Sequence, residues 1–401
     1  MSALGYGHSR GAAVRRVNPN RVLYVGFYDS SSNVAEARVA HLSAVAKMDY
    51  VCSALVGAGR KVLIVSPSYT RNNHYYHGKE TALSDDISLK VFPTLPWGNR
   101  AQRAISRAWS QLFLFFFLLF TARKGEAIVV YHSLALLRPV RAAKRLRRFR
   151  ILLEVEEVYH EAAATSSSVA RREHAAFADA AGFIFSTGLL DAKLNHSGRP
   201  SLVCHGTYLP QPDRGSRRRD GRIHVVYAGI VDSVKSGASV AVSAAIHLDA
   251  GYHLHVIGFG SPQDIERICR QIETVSSDTE CLVSYDGVLT GDDLVDFLQE
   301  CDVGLSTQIP DGTFNDSSFP SKVLTYLANG LHVVSVRIKA VEQSRVANEV
   351  TFYDGQDPKA VAEAIKSLRL HGVRDSRATI RALHSEFISD LRDVLKEMAP
   401  R

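Results

Sequence analysis

Paired cysteines are the first thing this chain lacks. Cys52, Cys204, Cys269, Cys281 and Cys301 are scattered through 401 residues, odd in number and without a C-x-x-C pair. Such a set argues against a disulfide framework and against a zinc site, and fits a reducing compartment. No H-x-x-x-H occurs, and no D-x-D stands in a loop that could present it to a metal. A long hydrophobic run is also missing. The most apolar stretch, Leu112 to Phe120, is nine residues between Gln111 and Thr121-Ala-Arg-Lys124, against the ~20 that a bilayer span needs. It reads either as a buried helix or as an interfacial helix dipping into a membrane. Residues 1–20 carry Arg and Gly but no apolar segment. They are not a secretory signal and are expected to form a flexible tail. No repeat of short fixed period is present.

What remains is a chain able to fold. It is 46% hydrophobic and 22% charged, long enough for about two domains. The formal charge of +7 is modest, and its distribution says more than its sum. Arg138, Arg141, Lys144, Arg145, Arg147, Arg148 and Arg150 fall within one short segment. This is either a solvated helix face or a contact for acidic phospholipid, to which each basic residue near the surface contributes ~1 kcal/mol. No feature of the sequence calls for nucleic acid.

Short apolar runs, each followed by helical spacing, recur along the chain. Arg21–Gly26, Lys61–Ser66, Ile87–Leu95, Ala127–His132, Ile151–Glu156 and Ala181–Ser186 are read as strands of a first domain, the last of them its final strand. The polar, basic segment from Pro212 to Gly221 reads as a linker. The pattern then restarts with Ile223–Gly229, His253–Gly260, Leu282–Tyr285, Val303–Ser306, Leu331–Val334 and Val350–Tyr353. Near-continuous apolar strands alternating with helices predict α/β architecture: two Rossmann-like, doubly wound parallel-sheet domains facing a cleft. The expected boundaries are a tail at 1–20, a first domain at 21–209, a linker at 210–222 and a second domain at 223–375. A C-terminal helix at 376–401 is placed to pack back on the first domain.

One stretch organises the rest: Asp316-Ser-Ser-Phe-Pro-Ser-Lys-Val-Leu-Thr-Tyr-Leu-Ala-Asn-Gly330, then Leu331 to Ser335. Asp316, Ser317 and Ser318 are helix-start residues, Pro320 suits a first helical position, and Asn329-Gly330 is a helix stop. A helix that opens on small polar residues presents backbone N–H groups and a positive dipole end, an anion site to which Lys322 adds a charge. In open parallel sheets ligands bind outside the carboxyl ends of strands. That makes Gly229, Lys235, Gly258, Gly260, Gly287, Gly26, His132, Glu156, Glu157 and His160 candidates by position.

Phe319-Pro-Ser-Lys322, Tyr326-Leu-Ala-Asn-Gly330 and Val333-Val-Ser335 together resemble the donor-site helix of GT-B glycosyltransferases of the family 4 (group 1) type. The resemblance covers most of residues 21 to 398 in order, with its specific motifs in the second half. It implies a hexosyltransferase moving a sugar from a UDP- or GDP-linked donor to a saccharide or lipid-linked acceptor, with retention, in bacterial surface or exopolysaccharide biosynthesis. The first domain would hold the acceptor and the second the donor. Donor-binding residues would be Gly229, Lys235, Gly258, Gly260, Gly287, Ser317, Ser318, Phe319, Pro320, Ser321, Lys322 and Thr325. Catalytic candidates are Glu156, Glu157, His160 and His132, with no choice among them, and Gly26 lies on the acceptor side. No cofactor and no protein-bound metal are expected. The protein would be cytoplasmic, with peripheral contact at the inner face of an anionic membrane.

The sequence departs from that family at two places. Ile230 stands where the family usually has arginine, and Ser317 and Thr325 stand where it often has two glutamates, the second binding ribose. Two other readings follow: a GT-B nucleotide-sugar epimerase, or a glycosyltransferase-like subunit that has lost donor binding and stabilises a partner.

Overall fold

The computed structural model describes residues 20–162, 167–215, 218, 220–232, 236–310, 318–370 and 376–399. Two sheets organise them. The first contains β1 Arg21–Val25, β2 Lys61–Ser66, β3 Lys79–Ala82, β4 Ile87–Val91, β5 Ala127–Tyr131, β6 Arg150–Val155, β7 Gly182–Phe185 and β8 Ser201–Val203. Their order is β3-β4-β2-β1-β5-β6-β7-β8. All neighbours are parallel except β3, which runs antiparallel to β4 at the edge. The second sheet contains β9 Ile223–Ala228, β10 Tyr252–Ile257, β11 Leu282–Gly287, β12 Val303–Ser306, β13 His332–Val336 and β14 Val350–Tyr353, in the order β11-β10-β9-β12-β13-β14. The inner strands bury nearly every side chain, as a sheet covered on both faces must.

The helices are α1 Leu42–Gly57, α2 Arg100–Thr121, α3 Leu134–Arg147, α4 Tyr159–Ala162, α5 Ser167–Asp179, α6 Gly188–Leu194, α7 Gly237–Ala244, α8 Pro262–Ser277, α9 Gly291–Gln299, α10 Ser321–Ala328, α11 Lys339–Glu342, α12 Pro358–Lys366 and α13 Ser376–Glu397. α2 is much longer than its apolar half suggests. Asn99 and Gln102 close its N-terminus in a reciprocal capping box. By length and composition α2 could cross a membrane. Here it packs along the first domain through Leu114 and Leu118, while Ile105, Leu112, Phe116 and Phe120 face outward.

Several local readings change. β8 lies beyond β7, so Ala181–Ser186 is not the last strand of its sheet. β4 ends at Val91 rather than running to Leu95. Pro320 is the residue before α10, and the helix begins at Ser321. Leu331 belongs to the helix stop: Gly330 takes a left-handed φ of 86°, its N–H meets Leu327 O, and the Leu331 N–H meets Tyr326 O.

α13 ties the domains together. At its start Ser376 Oγ donates to Leu327 O and Arg377 to Asn329 O, satisfying carbonyls left open at the end of α10. Further along, Phe387 stacks on Tyr50 of α1 with ring centroids 5.5 Å apart. Beyond its end, Arg150 of β6 donates to Met398 O at 2.6 Å. Residues 210–215 run over the second domain, where Arg214 pairs with Asp292 and Asp296 of α9. The tail at 1–19 lies outside the described residues, as do 216, 217 and 219 of the expected linker.

Candidate functional site

The carboxyl ends of β9 and β10 and the N-terminus of α10 surround a cavity of about 490 Å³. Its wall includes Gly229, Gly258, Ser318, Phe319, Pro320, Ser321, Lys322 and Thr325. The fold therefore brings together residues that the sequence holds almost a hundred positions apart. Gly258 is obligatory. Its φ is 138°, and a Cβ there would sit 1.8 Å from Gly229 O. Two strand-end loops can be this close only with no side chain between them.

Lys322 supplies the cation. Its Nζ lies 4.1 Å from the centre of the Tyr227 ring, a cation–π contact. It is also against Gly229, where a Cβ would be 3.2 Å from that Nζ. Tyr227 is fixed by donating to Ile230 O at 3.0 Å. Under the cavity, buried Tyr326 accepts from the Ala228 N–H at 2.8 Å and donates to Leu305 O at 3.2 Å. This locks α10 to β9 and β12, so the helix N-terminus has one orientation. The remaining wall is apolar: Ile230, Phe259, Val288 and Leu289 offer a surface for a flat ring, and no carboxylate is among the described lining residues.

Two expected donor residues sit off this wall. Gly260 pairs with Val231 in an isolated parallel bridge, and a Cβ on it would lie 2.2 Å from Val231 O. Gly287 turns the chain after β11 with φ 84°, and its carbonyl accepts from Gly258 N–H. Both shape the glycine loops behind the cavity. Lys235 and Ser317, with Asp316, lie outside the described residues. Thr325 Oγ1 is bonded to Ser321 O of its own helix at 3.3 Å.

The first-domain candidates follow β1, β5 and β6 and line a different region. A Cβ on Gly26 would meet Met48 Cε at 2.5 Å, so a packing contact accounts for the glycine. His132 is 2% exposed, donates from Nδ1 to Glu157 O at 3.2 Å, and burial lowers its pKa. Neutral and interior, it supports the loop. His160 is nearer the surface. Its Nδ1 lies 2.6 Å from Glu173 Oε2, and the Glu173 carboxylate also accepts from the Tyr159 and His160 N–H groups. A ring N–H donating to a carboxylate puts the lone pair on Nε2, the tautomer a general base requires. Glu156 is ion-paired with buried Lys47 at 3.3 Å. Glu154 is fully buried, accepts from Tyr24, and is raised by burial first and by Glu156 second.

A continuous set of contacts joins these groups to the cavity. Ser186 Oγ donates to Glu156 O at 2.8 Å, His205 Nδ1 donates to Ser186 O at 2.8 Å, and the His205 ring stacks on Phe319. Lys47, Glu173, Ser186, His205 and Tyr227 were not singled out from the sequence. A lysine within a largely apolar helix, as Lys47 is in α1, is the signal that could have found one of them.

Residues 222–370 match the profile of the family described as glycosyl transferases group 1. The second domain is similar to group 1 glycosyltransferases over that range. No curated protein matches the chain by sequence. Among solved structures, the E. coli trehalose-6-phosphate structure bound with UDP-2-fluoro glucose is similar over 95% of this chain and 100% of its own, with TM-score 0.64 and 12% identity. The sucrose-phosphate synthase of Thermosynechococcus elongatus covers 94% of this chain and 98% of its own, with TM-score 0.65 and 16% identity. Anabaena HepE in complex with UDP and glucose covers 94% and 98%, with TM-score 0.58 and 11% identity. At such identities the likeness carries the fold, which is GT-B throughout. The cavity on β9, β10 and α10 lies within the matched region.

Proposed function

We propose that this glycosyltransferase moves a hexose from a UDP- or GDP-linked donor to a saccharide or lipid-linked acceptor, with retention at the anomeric carbon, in bacterial surface or exopolysaccharide assembly. The observation that carries the reading is the convergence of Lys322, the N-terminus of α10 and the facing loops of Gly229 and Gly258 on one cavity. These are a cation, N–H donors and bare backbone, the groups that hold a diphosphate. The structural neighbours solved with UDP-2-fluoro glucose and with UDP and glucose favour a UDP-hexose.

In this reading the acceptor oxygen approaches the anomeric carbon on the face that the diphosphate leaves, and bonds there as the bond to the diphosphate breaks, so the configuration is retained. The electron pair leaves with the diphosphate, where Lys322 and the α10 N–H groups stabilise it. His160, held by Glu173, takes the acceptor proton. No metal held by protein carboxylates is required.

The acceptor side has an apolar groove of about 610 Å³, lined in part by Phe92, Phe113, Phe116, Phe117 and Phe120. Beside it, Arg147 Nε donates to Ala122 O, setting the basic end of α3 next to the apolar end of α2. Apolar surface flanked by exposed arginines suits a lipid acceptor and peripheral contact with an anionic membrane.

A second reading, a subunit that no longer binds donor, is favoured by exposed Ile230 and by Thr325 bonding within its own helix. A thermal-shift panel of UDP, GDP, ADP, CMP and dTDP separates the two. A ligand at 100 times its dissociation constant stabilises by ~2.7 kcal/mol. A shift with one nucleoside diphosphate supports the transferase, and no shift with any of them overturns it.

A further inference from the structure

The second sheet carries a histidine cluster that the donor site does not use. His224 of β9 is the register partner of His253 on β10. His255 lies two residues on and so points to the same face. Ser284 and Asp286 of β11 extend the cluster, since Ser284 is the register partner of His255. The ligand atoms of the three histidines all lie within 4.8 Å of one another. His224 and His253 each precede a cavity glycine, Gly229 and Gly258, by five residues, about 16 Å along a strand. The cluster is therefore at the far end of the sheet from the donor.

The geometry of the outer nitrogens is specific. His224 Nε2 lies 2.9 Å from Asp220 Oδ1, and His255 Nδ1 lies 3.0 Å from Asp286 Oδ2. A carboxylate only accepts, so both outer nitrogens carry the proton in the neutral rings. The inner nitrogens, His224 Nδ1 and His255 Nε2, are then two lone pairs facing each other at 3.0 Å. Two acceptors at that distance repel unless a proton or a metal ion lies between them. His253, partly exposed, is bonded through Nε2 to Ser284 Oγ at 3.1 Å. Of the neighbouring charges, Arg218 sits on Phe297 and is paired with Glu300 at 3.1 Å, and Arg222 pairs with the other oxygen of Asp220 at 3.1 Å, which leaves Oδ1 of Asp220 and the Asp286 carboxylate facing the histidines.

We propose that His224, His253 and His255 bind a divalent transition-metal ion of the zinc class, with Asp220 and Asp286 as the carboxylates that orient two of the ligands. Imidazole nitrogens select such ions, and a carboxylate on the outer N–H of a metal-bound histidine fixes its tautomer and raises its basicity. Tetrahedral zinc at Zn–N ~2.0–2.1 Å needs ligand atoms about 3.4 Å apart, within reach of small side-chain rotations here. Three protein ligands leave a fourth position for water. The ion would pin β9, β10 and β11 to the segment at Asp220 where the second domain begins. This departs from the expectation of no zinc, which rested on cysteine; the ligands are histidines on adjacent strands.

The test uses the full chain stripped with a chelator and dialysed. Zinc chloride alone is titrated in competition with a chromophoric chelator, and cobalt chloride is added to a second sample. The expected result is one ion per chain, visible cobalt ligand-field bands, and a thermal midpoint that rises with zinc. Asp220→Asn and Asp286→Asn should each weaken zinc about 10–100-fold, and His253→Gln at least as much. Failure of the unsubstituted protein to retain zinc against the chelator overturns the site. So does retention unchanged in all three variants, which would place the ion elsewhere. If His253→Gln does not fold, the cobalt spectrum of the unsubstituted protein decides: without ligand-field bands the site is wrong.

Discussion

Phe319 of the cavity wall stacks on His205 just after β8, ring centroids 4.5 Å apart and 26° from parallel. One ring belongs to each domain, so the cavity wall is braced by the first domain. Such a pair is worth about 0.5–1.5 kcal/mol beyond its buried area. Phe319→Ala should therefore lower donor-nucleotide affinity as well as stability, while Phe319→Tyr, which keeps the ring, should restore both. Calorimetric titration with UDP and a denaturant midpoint check the two effects together.

His205 also makes that brace sensitive to acid. Burial lowers its pKa from 6.5 to about 4. Between those values the unfolded chain binds a proton that the folded ring refuses. Stability from this group is complete above pH 6.5 and falls as pH drops toward 4. The full shift corresponds to about 3 kcal/mol. His132 and His253 are also lowered by burial, so the whole chain has an acid limb from several groups. The share of His205 is read as a difference. His205→Phe keeps a ring against Phe319 and should flatten the stability profile between pH 6.5 and 4, compared with the parent in urea titrations.

Lys322→Ala removes the one cation on the described cavity wall. A hydrogen bond to a charged group is worth about 1.5–3 kcal/mol, so affinity for a nucleoside diphosphate should fall about 10–100-fold. Affinity for the nucleoside alone should hold. Gly258→Ala fails differently. Its Cβ would overlap Gly229 O and its φ is one that side chains avoid, at a cost of at least about 2 kcal/mol. A lower thermal midpoint together with lost nucleotide binding is the expected result.

Much of this was legible in the sequence. The strands β1, β2, β5, β6 and β9 stand out because burial on both faces demands nearly continuous apolar runs. The donor helix stands out because loop, helix, stop and strand are contiguous. β3 was invisible, since Lys79-Glu-Thr-Ala is exposed throughout and pairs only at an edge. The first half of α2 hid behind its arginines. The supporting residues of the site escaped for a different reason: their chemistry is made by long-range contact. Lys47 and the Cys204 carbonyl that it meets are 157 residues apart. Glu173 is one more acidic residue on a helix until the fold sets it against His160 and His132. The H-x-H of His253 and His255 shares a strand face, a period-two signal that a search for helical H-x-x-x-H spacing misses.

His160 and His132 should separate by kinetics. General acid–base catalysis contributes typically 10²–10⁴-fold. His160→Ala should lower kcat within that range, with some loss of stability because it takes one partner from the buried Glu173 carboxylate. His132→Ala opens a hole beneath Tyr159 and Phe177 and should lower the thermal midpoint first. Glu173→Gln keeps the shape but weakens the hold on His160 Nδ1, so kcat should fall and its pH profile move. An unchanged kcat in His160→Ala would remove it from the reaction.

The outward face of α2 gives the last prediction. Phe116 and Phe120 stack on each other, 44% and 78% exposed, where water gains nothing from them. Burying an apolar side chain is worth about 1.5–3 kcal/mol, so two inserted together could bring a membrane partition constant up by roughly two orders of magnitude. The arginines at the end of α3 would add attraction to anionic headgroups that salt screens. Phe116→Ser with Phe120→Ser should abolish flotation with vesicles of phosphatidylglycerol and phosphatidylcholine while leaving UDP affinity unchanged, since neither ring touches the donor cavity. Raising salt should weaken the parent protein's binding without abolishing it. Equal flotation of parent and variant would show that this face does not meet the membrane, and the groove beside it would then have to serve a soluble acceptor.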